Sequence, residues 1–337
     1  MTDVKAPFPH DHFVKWVFTR PEAAAVELRQ VLPPEVSARL DWPTLHVRPG
    51  SYIDPKLTAR HSDILYAVRL RDDQPREALI YVLLEHQSSA DRLMAWRLLR
   101  YVVRVWDGYV RDQTGPVVTL PLIIPIVLYQ GPDGWTEPTR FSDLLDIPDD
   151  LRSAVGSPVE LHFSVDELTD SVLADEHARD GVLALVEVAR TLLRLAVNRD
   201  EITRERVAPL APLFETVMTA LGIDDVQALW TYVISAFEPD SPLRGILVDA
   251  ASQELQSMYA TIYDEAIGKG RIEGERKGKL EGERQMLLRL VDKRGLALTE
   301  TQRERLLACT DEAQLQAWFD RALTADDVDA IFDGARR

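Results

Sequence analysis

The 337-residue chain has an ordinary globular composition, with 46% apolar and 28% charged residues. Its single cysteine, Cys309, excludes an internal disulfide and a zinc site built from several thiolates. The formal net charge of −16 argues against nucleic-acid binding over the whole surface, although residues 1–130 hold 16 Lys+Arg against 15 Asp+Glu. The longest apolar stretch, 117–129, is too short to span a bilayer and the N-terminus lacks a secretory pattern, so we expect a cytoplasmic protein with no membrane partner.

The first half of the chain alternates between helical and strand patterns. Residues 10–32 have helical spacing, with Pro21 opening a second helix. Residues 62–70 and 78–87 read as two strands of a hairpin joined by a turn at 71–77. A helix is predicted over 90–111, with a core stripe of Leu98, Val102, Val105 and Tyr109. Pro121 and Pro125 make the next strand, 117–129, an edge or a bent strand. The order predicts an α/β fold.

The second half is predicted to be helical from about residue 165. In residues 268–284 glycine recurs every four residues at positions 270, 274, 278 and 282, with charges between. This segment is either a self-association helix, which would make the protein a homo-oligomer, or a solvated and partly disordered linker. The predicted domains are an α/β domain (1–165), a helical region (166–267), the glycine repeat (268–285) and a small helical cap (286–337).

The apolar strand 78–87 breaks into polar residues at its end. Glu85 and Gln87 lie two residues apart and share one face of a strand, while His86 faces the other side. A hairpin turn centred near residue 74 places Asp63 roughly opposite Glu85. Two facing carboxylates repel unless a cation lies between them, and Mg²⁺ accepts such oxygen ligands. The alternative is that these residues are ordinary solvated strand ends.

The pattern Asp63…Glu85-x-Gln87 between strands, followed by a helix, resembles the PD-(D/E)XK nuclease core. More specifically, the first 135 residues resemble the Rpn family of recombination-promoting nucleases, also called YhgA-like putative transposases. The stretches that carry this resemblance are PHDHFVKWVF (9–18), LPPEV (32–36), PGSYID (49–54), SDILYAVRL (62–70), YVLLEHQSSADRLMAWRLLRYVVRVW (81–106) and LPLIIPIVLYQG (120–131). The resemblance implies a mixed central sheet flanked by helices.

The resemblance also implies a Mg²⁺-dependent DNA endonuclease. Asp63, Glu85 and the backbone carbonyl of His86 would ligate the metal. Gln87 takes the place of the superfamily's usual lysine, and an amide can orient a water but cannot act as a base. A first-helix acid often completes such sites, and the candidates are Glu22 and Glu27.

The helix after the candidate site carries a row of arginines. Arg97, Arg100, Arg104 and Arg111 follow one another at steps of three, four and seven residues. The row is either a phosphate-contacting stripe for DNA or a solvated face paired with Asp107 and Asp112. Two alternatives to a nuclease stay open at this point: a non-catalytic DNA- or protein-binding module on the same scaffold, and, with less support, a glycosidase using the two acids.

Overall fold

The computed structural model describes residues 9–48, 64–72, 77–85, 90–131, 134–148, 150–151, 154, 156–157, 159–168 and 180–332. Contacts divide the chain into two compact units, one formed by Lys5–Ile262 and one that contains Tyr263–Arg337. The predicted boundaries at 165, 267 and 285 stay predictions. No helix in the described part of the chain is long and apolar enough to cross a membrane.

The first unit is built on a five-stranded mixed sheet with the strand order β1-β2-β3-β4-β5. The strands β1, β2 and β3 pair antiparallel, whereas β3, β4 and β5 run parallel. The strands are β1 (Leu40–Val47), β2 (Ile64–Leu70), β3 (Glu77–Glu85), β4 (Leu122–Tyr129) and β5 (Ser164–Asp166). The predicted α/β class is therefore confirmed.

The β2–β3 hairpin has a different register from the predicted one. Ile64 lies opposite Val82 and Arg69 opposite Glu77, whereas pairing Asp63 with Glu85 would have put Ile64 opposite position 84. The displacement is two residues, so each side chain keeps its predicted face. Burial on both faces agrees with these faces: Leu65 and Leu79 enter one core cluster, and Tyr66 and Ile80 enter the other.

The sequence analysis missed two strands, and one of its two alternatives for a third strand is wrong. β1 contains Pro43 and an irregular register between Asp41 and His46, which obscures its alternation, and β5 has only three residues. β4, predicted to be an edge or a bent strand, is an interior strand, so the edge alternative is wrong. Its proline is tolerated because β5 pairs only with Ile126–Leu128, so Pro125 has a paired strand neighbour on the β3 side alone.

Helices cover both faces of the sheet. On one face lies α4 (Met94–Asp112), whose buried residues include three of the four predicted core positions, Leu98, Val102 and Val105. On the other face lie the N-terminal helices and the helical region that follows β5, which share one core with the sheet. These helices are α1 (Pro9–Phe18), α2 (Pro21–Val31), α3 (Pro34–Ser37), α5 (Gly181–Val197), α6 (Arg204–Val207), α7 (Leu210–Ala220), α8 (Ile223–Ala236) and α9 (Pro242–Ala250).

The glycine repeat lies within one long helix, α10 (Gln253–Lys293). A Cβ atom added at Gly274, Gly278 or Gly282 would meet no described atom within 4 Å, so this ridge is open. Gly295 ends the helical turn with φ +68°, a conformation that favours glycine. Three helices complete the second unit around Leu306 and Trp318: α11 (Glu300–Ala308), α12 (Glu312–Thr324) and α13 (Asp329–Phe332).

Candidate functional site

Four strand ends lie side by side at one end of the sheet, along the line where the strands stop. β3, β4 and β5 are parallel and end there, and β2, which is antiparallel to β3, begins there. Glu85, the last residue of β3, lies opposite Tyr129, and Asp166, the last residue of β5, lies opposite Leu128. We call this the catalytic edge because the sequence analysis places its candidate acids there.

Most of the predicted metal site lies outside the described residues. Asp63, His86 and Gln87 are among the residues that the structure does not describe, and Glu85 is described by its backbone position at the end of β3. Asp63 directly precedes Ile64, the first residue of β2. The shared metal between the two carboxylates therefore stays a prediction.

The two candidate helix acids have different environments. Both lie in α2, where Glu22 is exposed in the first turn and Glu27 is buried. The carboxyl of Glu27 accepts a hydrogen bond from Nη1 of Arg190 in α5. Of these two carboxyl groups, only that of Glu22 is open to solvent.

Arg190 also binds a third charged residue, Asp166, at the catalytic edge. Its Nη1 and Nη2 atoms donate to the two carboxylate oxygens of Asp166 at 3.0 and 3.2 Å. The backbone N–H of Leu168 donates to the same carboxylate at 3.0 Å. We call Glu27, Asp166 and Arg190 the buried triad, since the side chains are only 8%, 6% and 7% exposed.

One guanidinium cannot neutralise two buried carboxylates, so the triad must hold a proton. Burial raises the pKa of Glu27 well above its ordinary value, and the neighbouring charge of Asp166 raises it further. Burial alone would raise the pKa of Asp166 too, but hydrogen bonds from Glu27 and Arg190 and the charge of Arg190 lower it. These directions favour Glu27 over Asp166 as the member that takes up a proton.

A cavity of about 20 Å³ borders the triad. Glu27, Asp166, Ile64 and Tyr66 contribute to its lining, and the rest of the wall is largely apolar. Tyr66 donates its hydroxyl hydrogen to the Phe18 carbonyl at 2.6 Å, which ties β2 to the end of α1. A space of this size holds about one water molecule and is too small for a nucleotide.

Sequence reasoning missed two members of the triad. It found no suggestive residues beyond position 165, yet Arg190 lies within an otherwise apolar helix and Asp166 at the end of a short strand. An arginine on the core side of an apolar helix must be partnered, and that was the available signal.

The arginines of the α4 row differ in exposure and in their partners. Arg97 donates to Asp91 at 2.9 Å, and its side chain is 19% exposed. Arg100 is exposed, and Arg104 is half-buried. Nε of Arg111 lies 3.4 Å from Oδ1 of Asp112. This contact agrees with the alternative of a solvated, paired face for Arg111. Phosphate binding by the row stays a prediction.

In the described part of the chain no three His, Cys, Asp or Glu residues form a group that could hold a metal ion. The predicted metal site includes Asp63, which lies outside the described residues.

Comparison with known proteins identifies the family. The sequence model of the family described as "Putative transposase, YhgA-like" matches residues 8–217. The chain is 36% identical over 132 residues to Recombination-promoting nuclease RpnD of Escherichia coli O157:H7, a match covering 39% of this chain and 48% of RpnD. The chain thus spans about half the length of that relative. No solved structure matches the chain.

Two further relatives come from Escherichia coli strain K12. Inactive recombination-promoting nuclease-like protein RpnE is 29% identical over 308 residues, which cover 90% of this chain and 97% of RpnE. Recombination-promoting nuclease RpnC is 29% identical over 187 residues, covering 55% of this chain and 59% of RpnC. Because the family model covers more than half of the chain, this protein belongs to the YhgA-like putative transposase family, the family that the sequence resembled.

Proposed function

We propose that this protein is a Mg²⁺-dependent DNA endonuclease with a PD-(D/E)XK-type core, acting in recombination or on mobile elements. The observation that carries the proposal is the position of Glu85. Glu85 ends β3 at the catalytic edge, where β2 begins with Ile64, the residue after Asp63. The relatives of this chain include proteins named recombination-promoting nucleases.

The strand register supports a shared site for the two acids. If the pairing of Ile64 with Val82 extends by one residue, position 63 lies diagonal to Glu85 on the same face. Diagonal neighbours on antiparallel strands are about 7–8 Å apart, which two carboxylate side chains can bridge through one ion. Two carboxylates and a backbone carbonyl are the donors that suit Mg²⁺, so the residue types fit the metal.

Each residue has a distinct role in this proposal. Asp63, Glu85 and the carbonyl of His86 hold the ion, which when bound polarises a phosphodiester and lowers the pKa of a water molecule. Gln87 would orient the attacking water through its amide, which cannot act as a base, so the proton of that water would pass to solvent or to a non-bridging oxygen of the scissile phosphodiester. Glu27 is assigned a supporting role, because its carboxyl is buried and bound to Arg190.

DNA would approach along α4. Arg100 is exposed there, and Arg104 lies one turn further along. Because the whole chain carries a net charge of −16, we expect binding to be confined to this region and to weaken steeply with salt.

A second candidate function is a binding module that retains the scaffold without the chemistry. Two observations favour it: Gln87 replaces a lysine, and RpnE, which aligns over 90% of this chain, is named inactive. In this alternative the open glycine ridge of α10 would drive homo-oligomer formation.

Cleavage of supercoiled and linear duplex DNA with Mg²⁺ separates the two functions. The nuclease proposal expects nicking or cutting that EDTA abolishes and that Asp63→Ala and Glu85→Ala each remove. Glu205→Ala, an exposed acid in α6 that has no place in the predicted site, is the matched control and should cut normally. Cutting that persists in both acid variants, or its absence in a wild-type protein that binds DNA, would reject the nuclease function.

A further inference from the structure

Helix α4 is apolar on two faces. Its inner face, which includes Leu98 and Val105, packs in the core against the sheet. Its outer face carries Trp96, Val103 and Val110 at intervals of seven residues, and these side chains are 46%, 43% and 46% exposed. A helix at the surface of a globular protein ordinarily has one apolar stripe. Trp96 lies beside the ring of Phe141, with centroids 6.4 Å apart, yet nearly half of each of the three side chains of the second stripe stays exposed.

The outer stripe follows the spacing of a coiled-coil seam. Leu99 and Trp106, both half-buried, fill the positions between the three exposed residues. The resulting steps of three and four residues are those of the a and d positions in a heptad. We call the outer stripe the set Trp96, Leu99, Val103, Trp106 and Val110.

Further apolar side chains border the stripe. Trp106 donates its indole N–H to the carbonyl of Pro121 at 3.0 Å, and Leu120 and Leu122 on either side of Pro121 are 47% and 54% exposed. Such a continuous apolar surface is typical of an interaction site in a soluble protein.

The charges beside the stripe indicate what covers it. Arg100 and Asp107 are both exposed and lie seven residues apart on the same side of the stripe. They are separated by about 10 Å along the helix, too far to pair with each other. In a parallel pair each Arg100 would face a g position of the other helix, where Val102 and Tyr109 carry no charge, whereas an antiparallel pair brings each Arg100 to the Asp107 of the other copy.

We propose that a second copy of this chain docks antiparallel on the outer stripe of α4 and forms a two-fold dimer. Leu99 and Val103 of each copy then face Val110 and Trp106 of the other, and two Arg100–Asp107 pairs close one side. Such an interface is self-complementary, as a two-fold axis requires. The inference does not depend on nuclease activity or on the glycine ridge of α10. It gives Arg100 a role that competes with the phosphate contact proposed above, since a guanidinium paired across the dimer is not open to DNA.

Sedimentation of the full chain over a range of concentrations tests the proposal. Wild type should dimerise, and Val103→Asp should weaken association by about 100-fold or more, because it buries a charge at the centre of the seam. Two controls should leave the dimer intact: Ile223→Asp, at a residue of similar exposure (52%) at the start of α8, and Gly278→Leu in the glycine ridge. Circular dichroism checks that every variant is folded.

A charge swap tests the orientation and the identity of the partner. Arg100→Asp and Asp107→Arg should each weaken the dimer about tenfold by placing like charges together, and the double variant should restore it. A monomeric wild type, a dimer that survives Val103→Asp, a dimer lost only in Gly278→Leu, or no recovery in the double variant would each overturn the proposal. Binding of a monomeric wild type to anionic vesicles would instead identify a membrane surface and would also overturn it.

Discussion

Removing the arginine of the buried triad is the most informative perturbation of the fold. Arg190→Met keeps much of the side-chain volume but removes the guanidinium that binds Glu27 and Asp166. The ionised Asp166 then keeps only the Leu168 N–H and the Glu27 carboxyl as hydrogen-bond donors among the contacts described above. The loss is therefore the cost of a buried charge without its counter-ion, in addition to the lost hydrogen bonds.

The burial of the triad sets how much unfolding free energy Arg190→Met should lose. Breaking a buried ion pair from one side costs about 3–5 kcal/mol. We expect about 3 kcal/mol, at the lower end, because Glu27 can still share its proton with Asp166. Arg194→Met provides a matched control one turn along α5: Arg194 binds Glu201 at 2.9 Å, but these side chains are 20% and 30% exposed. That more solvated pair should contribute about 0–1 kcal/mol.

Urea unfolding followed by tryptophan fluorescence measures both free energies, since Trp230 lies in the same core as the triad. The Arg190→Met midpoint should fall by roughly 1 M or more and the Arg194→Met midpoint by a small fraction of that. Adding Asp166→Asn to Arg190→Met should recover part of the loss by removing the unpaired charge. Equal effects of the two arginine variants, or no recovery, would refute the buried-charge argument.

Three other predictions test the proton, the catalytic amide and the second unit. Because the folded-state pKa of Glu27 is raised, its stabilising contribution is complete at pH below the ordinary value of 4.5 and is lost as pH rises toward the folded value. Glu27→Gln should therefore flatten the decline in unfolding free energy above that pH, and an unchanged slope would contradict the protonation. Gln87→Lys, which restores the superfamily's residue, should leave Mg²⁺-dependent cleavage at or above the wild-type rate; loss of cleavage with DNA binding retained would show that the amide is required. Thr299→Ala removes the capping box of α11 and should cost about 1 kcal/mol in the unfolding of the second unit, whereas the exposed Thr301→Ala should not; thermal melts of both variants make the comparison.

Local patterns in the sequence predicted the elements that those patterns encode directly. The alternation in 62–70 predicted β2, the apolar run in 78–87 predicted β3, and the helical spacing in 90–111 predicted α4 and most of its buried face. Short-range patterns work here because side chains two or three to four residues apart share a face whatever the rest of the chain does. The same patterns located Glu85 at a strand end and supported the family assignment, which the family model confirmed.

Pairings between distant residues were decided by the tertiary structure. Glu27 and Arg190 are 163 residues apart, and the bond between them exists only because α2 and α5 pack on the same face of the sheet. The interior position of β4 depends likewise on β5, a three-residue strand whose own sequence carries almost no signal. The sequence by itself determined which residues could form helices, strands and a pair of acids. Which charges are buried together was decided by packing, because burial and the local dielectric are properties of the assembled core and not of neighbouring residues in the chain.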